Sequence, residues 1–186
     1  MPILGIIASS TLVAASDFES IATVSVGSGG SSSIDFTSIP STYAHLQIRG
    51  IVRSSLSASA AGFIMRVNSD SASNYSAHNL GGDGSGTQAN AYVNNTYMYP
   101  GPAMPAANAT ASTFGALVID LLDYANTNKY KTMRALSGFD ANGSGQIYFN
   151  SANWRNTNAI SSISLLFTSS NCVQYSHFAL YGIRSA

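Results

Sequence analysis

An alternation of apolar and polar residues with a period of two runs through this chain of 186 residues, and it constrains the fold more than any other feature. Along residues 43–53, apolar residues and one glycine occupy every second position from Ala44 to Val52, while the positions between them are mostly polar, as at His45. Successive side chains of a strand point to opposite faces of a sheet, so this pattern predicts a strand with one face in a core and one in water. Residues 62–68 repeat the pattern.

Less regular runs extend the same interpretation along the rest of the chain. They predict strands over 18–26, 33–36, 74–80, 91–99, 114–122, 130–137, 146–150, 159–167 and 173–184. Residues 114–122 are nearly all apolar and are compatible with a helix, but they are few and follow Gly, Ser and Thr residues. These features favour a central strand buried on both faces. Asn142-Gly143 predicts a tight hairpin, and the proline-rich stretch 99–111 predicts a loop.

The pattern as a whole indicates an all-β protein of about eight to ten strands. Turn signals at roughly even spacing, without an amphipathic helix between them, are typical of an antiparallel β-sandwich or a closed barrel. The length suits a single domain, which we place at residues 17–186. No apolar run approaches the roughly 20 residues that cross a bilayer as a helix.

Residues 1–16 form a separate apolar segment that we interpret as a docking arm. The side chains expected to contact another protein are Ile3, Leu4, Ile6 and Ile7. An exposed apolar end of this kind normally needs a binding partner to cover it. The segment has some likeness to a secretion signal, but no basic residue precedes its apolar stretch, and Gly5 and Ser9 interrupt that stretch early.

Charge is scarce, and this limits the classes of partner. The chain has 8 Lys and Arg against 8 Asp and Glu, and only 9% of its residues are charged. Nucleic-acid binding needs a concentrated field of basic side chains, so it is not expected here. The small group Lys129, Lys131 and Arg134 is interpreted as a solvated strand edge. Cys172 is the single cysteine, which excludes both a disulfide within the chain and a multi-thiolate metal site.

Candidate catalytic carboxylates are few. A glycosidase needs two carboxylates across a cleft, one of them with a raised pKa. Asp120 lies in the most apolar segment, and Asp120 or Asp70 is the best candidate for such a group. The favoured interpretation of Asp120 and its neighbour Asp123 is structural, with Lys129 or Lys131 across the hairpin as an ionic partner. The protein is therefore expected not to be an enzyme.

The sequence leaves two metal sites open without favouring either. His45, His78 and His177 lie on three separate strands, and structural roles are favoured over a three-histidine zinc site. The Gly-rich loops 81–86 and 140–145 carry Asp and Asn oxygens that suit calcium. The only glutamate lies near the N-terminus, so neither loop has the bidentate ligand of an EF-hand, and plain turns explain both. No cofactor is expected.

Aromatic residues offer a candidate carbohydrate site. Ten tyrosines, one tryptophan and many asparagines are the residue types that stack on sugar rings and hydrogen-bond to hydroxyls. The candidates are Tyr92, Tyr97, Tyr99 and Trp154. The alternative is that these rings fill the core or a subunit interface, where aromatic residues are usually found.

Four blocks of sequence resemble a family of small virion proteins of tailed bacteriophages. They are Ile3 to Ser10 (ILGIIASS), residues 18–50 beginning FESIATVSVGSGG, residues 118–145 beginning VIDLLDYANTNKY, and residues 175–184 (YSHFALYGIR). The resemblance extends over nearly the whole chain except about 87–113. Members of this family are described as structural, tail-fibre-like or head-decorating proteins.

The resemblance implies a jelly-roll-like β-sandwich with an extended N-terminal arm that contacts another virion protein. It also implies a symmetric homo-oligomer such as a trimer, and it brings no catalytic motif. The expected function is that of a non-enzymatic virion protein, a capsid decoration or fibre module bound to capsid or tail. The alternative is a receptor-binding tip that recognises a host surface polysaccharide. Neither expectation involves membrane insertion.

Overall fold

The computed structural model describes residues 17–101 and 103–184, and these residues form strands, turns and loops without a helix. Thirteen strands are present. Their bounds are β1 Phe18–Ser25, β2 Ser33–Phe36, β3 His45–Val52, β4 Ala60–Ala61, β5 Ile64–Val67, β6 Tyr75–Gly82, β7 Thr87–Asn95, β8 Met104–Pro105, β9 Gly115–Leu122, β10 Lys131–Asp140, β11 Gly145–Trp154, β12 Ile163–Leu166 and β13 His177–Ile183. No helix in these ranges is long and apolar enough to cross a membrane.

The strands form three sheets in which every pairing is antiparallel. The large sheet has eight strands in the order β1-β13-β3-β9-β10-β11-β6-β7. A three-stranded sheet has the order β2-β12-β5, and the short strands β4 and β8 pair with each other. Consecutive hairpins join β9, β10 and β11 at the centre of the large sheet.

One hydrophobic core takes side chains from both the large and the small sheet. On β9, Leu117, Ile119 and Leu121 are buried while the residues between them are not, which is the period of two that the sequence shows. The three-stranded sheet contributes residues such as Met65 and Leu165 to the same cluster. Burying one face of each strand supplies most of the stabilising free energy, because each fully buried aliphatic side chain contributes about 1.5–3 kcal/mol.

The all-β expectation is confirmed, and so is the hairpin at Asn142-Gly143. Both residues have the positive φ angles, 58° and 99°, that a tight hairpin turn requires. The thirteen strands outnumber the eight to ten expected, and two of them, β4 and β8, are pieces of two residues that leave no periodic signal. The strand expected at 91–99 lies instead at 87–95, because its first four residues, Thr87 to Asn90, include no large apolar side chain.

Two local expectations were wrong. Residues 114–122 do form a central strand, but it is buried on one face only, and Ala116 on its other face is exposed. The large sheet has a second face that the three-stranded sheet does not cover. Lys131 is not on a solvated edge, because β10 lies in the interior of the large sheet and its lysine is buried. The Lys131 ammonium donates hydrogen bonds to the backbone carbonyls of Asn126, Lys129 and Thr157 at 2.6, 2.9 and 3.0 Å.

Candidate functional site

The outer face of the large sheet carries most of the exposed large apolar side chains among residues 17–101 and 103–184. Eight such side chains are exposed in the described ranges, and six of them lie on this face. They are Ile51, Leu80, Val93, Leu136, Ile147 and Phe149, and we call this set the apolar face. The other two, Tyr130 and Tyr175, lie elsewhere. Because six exposed apolar side chains are concentrated on one side of one sheet, the apolar face is the leading candidate site.

Strand register places the members of the apolar face next to each other. Leu136 on β10 is directly opposite Phe149 on β11, and Phe149 is opposite Leu80 on β6. On the other side, Leu136 is opposite Val118 on β9. Directly opposed residues of an antiparallel pair have their Cβ atoms about 5 Å apart, so these four side chains form a continuous apolar row across four strands.

The extent of the apolar face is at the upper end of what a monomer usually exposes. Its six members are 48% to 71% exposed. Half of the roughly 200 Å² of a large apolar side chain, taken six times, is on the order of 600 Å². The largest apolar patch on a typical monomer is about 300–600 Å², and patches of this size mark interaction sites.

A shallow depression lies within the apolar face. Its volume is about 230 Å³, and almost all of its surface is apolar. It is lined by Ala116, Leu117, Val118, Leu136, Ser137, Gly138 and Ile147. Gly138 and Ala116 are opposite each other in the register of β10 and β9, and their small size leaves the floor low beside the taller Ile147. The depression suits a single aliphatic side chain from another surface.

A polar row borders the apolar face on one side and separates Val93 from the other five members. Register places Gln47, Asp120, Arg134, Ser151 and His78 side by side across five strands. The Gln47 amide donates a hydrogen bond of 2.8 Å to the Asp120 carboxylate, and the Arg134 guanidinium lies 3.5 Å from the same carboxylate. Charges of both signs at the border of an apolar patch are typical of the rim of a protein interface.

A polar cleft at one end of the large sheet is the second feature. The β6–β7 and β10–β11 hairpins are neighbours there, and a cleft of about 370 Å³ lies between them. Both Gly-rich loops singled out in the sequence contribute to it. Its lining comprises Gly82, Asp83, Gly84, Phe139, Asp140, Gly143, Ser144, Gly145, Gln146 and Ile147.

The carboxylates of these two loops stabilise their own turns. Asp83 accepts hydrogen bonds from the backbone N–H groups of Ser85 and Gly86, both at 2.9 Å, and these bonds hold the pKa of Asp83 below its usual range. Asp140 accepts a 2.8 Å bond from the Asn142 N–H. Among residues 17–101 and 103–184, no group of three or more His, Cys, Asp or Glu side chains could hold a metal ion.

Two of the candidate residues lie close together, since His45 Nδ1 is 3.6 Å from a carboxylate oxygen of Asp123. Asp120 lies on the outer face of the large sheet, bound by Gln47 and by Arg134, which takes the place of the expected lysines. Lys129 forms the expected kind of ion pair with Asp123, and its ammonium holds the pKa of Asp123 below the usual range. His45 and His177 lie at opposite ends of β3 and β13, and His78 is on β6.

Asp70 is tied to the core rather than open to a cleft. Its carboxylate accepts bonds from the Trp154 indole N–H at 2.7 Å, the Asn74 amide at 2.9 Å and the Ala72 N–H at 2.8 Å. Partial burial opposes ionisation, but these three donors outweigh it and hold the pKa of Asp70 below its usual range. A general acid needs a raised pKa, so the shift has the opposite sign to the one that a glycosidase acid requires.

The four candidate sugar-binding aromatics do not form one surface. Trp154 is 1% exposed, so neither face of its ring is available for stacking. Tyr92 and Tyr99 contact each other with ring centroids 5.5 Å apart, and both pack against the hydrophobic core. Burial raises the pKa of Tyr99 to about 12. Tyr97 is half-buried. The candidate arm residues Ile3, Leu4, Ile6 and Ile7 lie outside the described residues.

The sequence of β11 carries a local signal for the apolar face. In β11, Ile147, Tyr148 and Phe149 are consecutive large apolar residues, so both faces of that strand are apolar at one point. A half-buried strand in water has one polar face, and a departure from that pattern predicts a covered second face. No family model, curated protein or solved structure matches the chain.

Proposed function

We propose that this protein is a non-enzymatic structural module of a tailed-bacteriophage virion, a decoration or fibre protein that assembles through its apolar face. The observation that carries the proposal is the position of six of eight exposed large apolar side chains on one sheet face. Water-exposed apolar area of this size is stabilised when another protein covers it. The sequence resemblance supplies the virion context.

The composition supports a role at high copy number. The surface is hydrated by hydroxyl and amide groups, and the net charge is zero. Copies of such a protein pack closely without long-range repulsion, which a strongly charged surface would cause. We assign attachment to the particle to the arm of residues 1–16 and contact between copies in a homo-oligomer to the apolar face.

The proposed architecture is a jelly-roll-like β-sandwich. Three connections leave the large sheet, pass through the small sheet and return, at β1-β2-β3, β3-β5-β6 and β11-β12-β13. The single core shared by both sheets supports the sandwich, and these crossovers are the basis for comparing it with a jelly roll.

The proposal is tested on particles of the phage whose genome encodes the chain. Purified virions are washed and analysed by quantitative mass spectrometry. The proposal predicts the protein at a fixed copy number per particle. A chain lacking residues 1–16 should fold and fail to load. Absence of the wild-type protein from intact particles would reject the virion role.

A second candidate function is carbohydrate binding, and the polar cleft between the two hairpins favours it. The cleft combines the Phe139 ring with amide and hydroxyl groups at Gln146 and Ser144, which is the chemistry that binds sugars. Binding to host surface polysaccharide should be lost in Phe139→Ala and kept in Tyr175→Ala, an exposed aromatic elsewhere. Tyr97→Ala tests the candidate tyrosines Tyr92, Tyr97 and Tyr99 in the same assay. Equal binding by all variants would exclude both the cleft and these tyrosines as the sugar-binding surface.

A further inference from the structure

We propose that the apolar face is covered by a second copy of this chain, packed face to face about a two-fold axis that runs along the strands between β10 and β11. This inference rests on the proposed assembly function and names its immediate partner. The two-fold contact replaces the trimer that the sequence resemblance implies. Isologous contacts of this kind are the commonest form of protein oligomer.

The width of the apolar face argues for a whole sheet as its occupant. Ile51 lies on β3 and Val93 on β7, and five strand spacings separate them. At about 4.8 Å per spacing the face is roughly 24 Å wide. A second sheet packed face to face covers all six of these strands at once.

The two-fold axis pairs the strands of the two copies in a definite way. β10 of one copy lies over β11 of the other, β9 lies over β6, and β3 lies over β7, because these strands are equally distant from the axis on its two sides. Residues in one register row then meet the same row of the second copy. Packed sheets of this type lie about 10 Å apart with their strands nearly aligned.

The apolar rows are complementary under this operation. Ile147 of one copy faces Gly138 of the other, so the taller side chain meets the depression of about 230 Å³. Phe149 faces Leu136, and Leu80 faces Val118. Across the four central strands, large side chains are thus placed over small ones or beside equal ones, which gives the close packing that an interface core needs. On the outer strands Ile51 faces Thr87.

The polar row is complementary under the same operation. Asp120 on β9 faces His78 on β6 of the second copy, and Arg134 faces Ser151. Each of these meetings pairs a hydrogen-bond donor with an acceptor, and no carboxylate meets a carboxylate. Apolar area on the order of 600 Å² per copy, extended by this polar row, approaches the roughly 800 Å² per partner of a standard stable interface.

The oligomeric state of the full chain tests the inference first. Sedimentation equilibrium at about 10 µM should give a dimer for the wild-type chain. Phe149→Asp should weaken association at least tenfold, while Tyr175→Asp, the matched exposed control, should leave it unchanged. Circular dichroism and Trp154 fluorescence verify that each variant is folded. A monomeric or trimeric wild-type chain, or a dimer indifferent to Phe149→Asp, would overturn the proposal.

Cross-linking tests the register of the two copies. Leu80→Cys and Val118→Cys are made in separate chains and treated with a short bismaleimide. Leu80 of one copy faces Val118 of the other but lies about 14 Å sideways from its own symmetry mate, three strand spacings away. The mixture should therefore yield a covalent dimer, and neither variant alone should. Cross-linking of each variant to itself would contradict the two-fold axis between β10 and β11.

The two proposals fail in different ways. A chain that is monomeric in solution but present in purified virions would refute the second-copy interface and leave the structural role standing. A chain that is dimeric through the apolar face but absent from virions would refute the structural role in the virion and leave the second-copy interface standing. Dimerisation lost on removal of residues 1–16 and kept in Phe149→Asp would assign the contact between copies to the arm.

Discussion

Leu136 and Phe149 lie directly opposite each other on β10 and β11, and about half of each side chain is exposed on the outer face of the large sheet. On the same strand pair, Met133 and Ala152 also face each other and are fully enclosed by the core. One strand pair therefore serves two surfaces with apolar residues, one inside the fold and one available to another protein.

Substitutions on the two faces of β10 should have different effects on folding. Leu136→Thr should change the free energy of unfolding of the monomer by less than about 0.5 kcal/mol, because the side chain does not contact the core. Met133→Ala should cost about 2–5 kcal/mol by opening a cavity. Urea unfolding followed by Trp154 fluorescence, at concentrations where the chain is monomeric, measures both. Equal costs would show that Leu136 supports the fold.

The hydrogen bond between Trp154 and Asp70 joins positions 84 residues apart and fixes the end of β11 to the turn before β6. Trp154→Phe and Asp70→Asn should each destabilise the fold. Their double-mutant cycle should give a coupling of about 1.5–3 kcal/mol, as for a hydrogen bond to a charged group. Chemical denaturation of the four proteins supplies the values. A coupling near zero would mean that Trp154 stabilises the fold through packing alone, without a contribution from this hydrogen bond.

Acid should weaken the fold through Asp70. Its pKa is lower in the folded chain than its ordinary value of 3.8. The stability that its ionised form provides is therefore complete above that ordinary value and is lost as pH falls through the lower folded pKa. The stability difference between wild type and Asp70→Asn should be constant near neutral pH and shrink below about pH 4. A difference that is independent of pH down to pH 2.5, roughly, would contradict this assignment.

The buried ammonium of Lys131 should be required for folding stability. Lys131→Met leaves the three carbonyls that it binds without a donor, and we expect a loss of about 3 kcal/mol. Lys129→Met is the matched control, since Lys129 is half-exposed and only its ion pair with Asp123 is removed, at a cost below about 1 kcal/mol. Thermal unfolding of both variants distinguishes a buried structural lysine from a surface one.

The sequence predicted the elements whose signal is local. Alternation in residues 43–53 gave β3 because only one of its faces is apolar, and Asn142-Gly143 gave its hairpin because two positive φ angles demand those residues. The burial of Trp154 and Lys131 was not predictable in this way. Both depend on groups brought together from distant segments, Asp70 for the indole and Thr157 for the ammonium.

The apolar face shows the same limit on a larger scale. Leu80, Leu136 and Phe149 come from three strands, and nothing in any one strand reveals that their exposed sides coincide. The register of the assembled sheet creates the site. The sequence of β9 is apolar on both faces, which led to the expectation that both are buried. The sequence of this strand does not show that the small sheet covers only one of them.

Hydroxyl-radical footprinting of the assembled protein tests the role of the apolar face most directly. Modification of Leu80, Leu136 and Phe149 is compared between the assembled and the dissociated chain, with Tyr175, which is 77% exposed, as the internal reference. We predict that labelling of the three residues falls severalfold on assembly while labelling of Tyr175 is unchanged. Equal labelling of the apolar face in both states would contradict its role as the assembly surface.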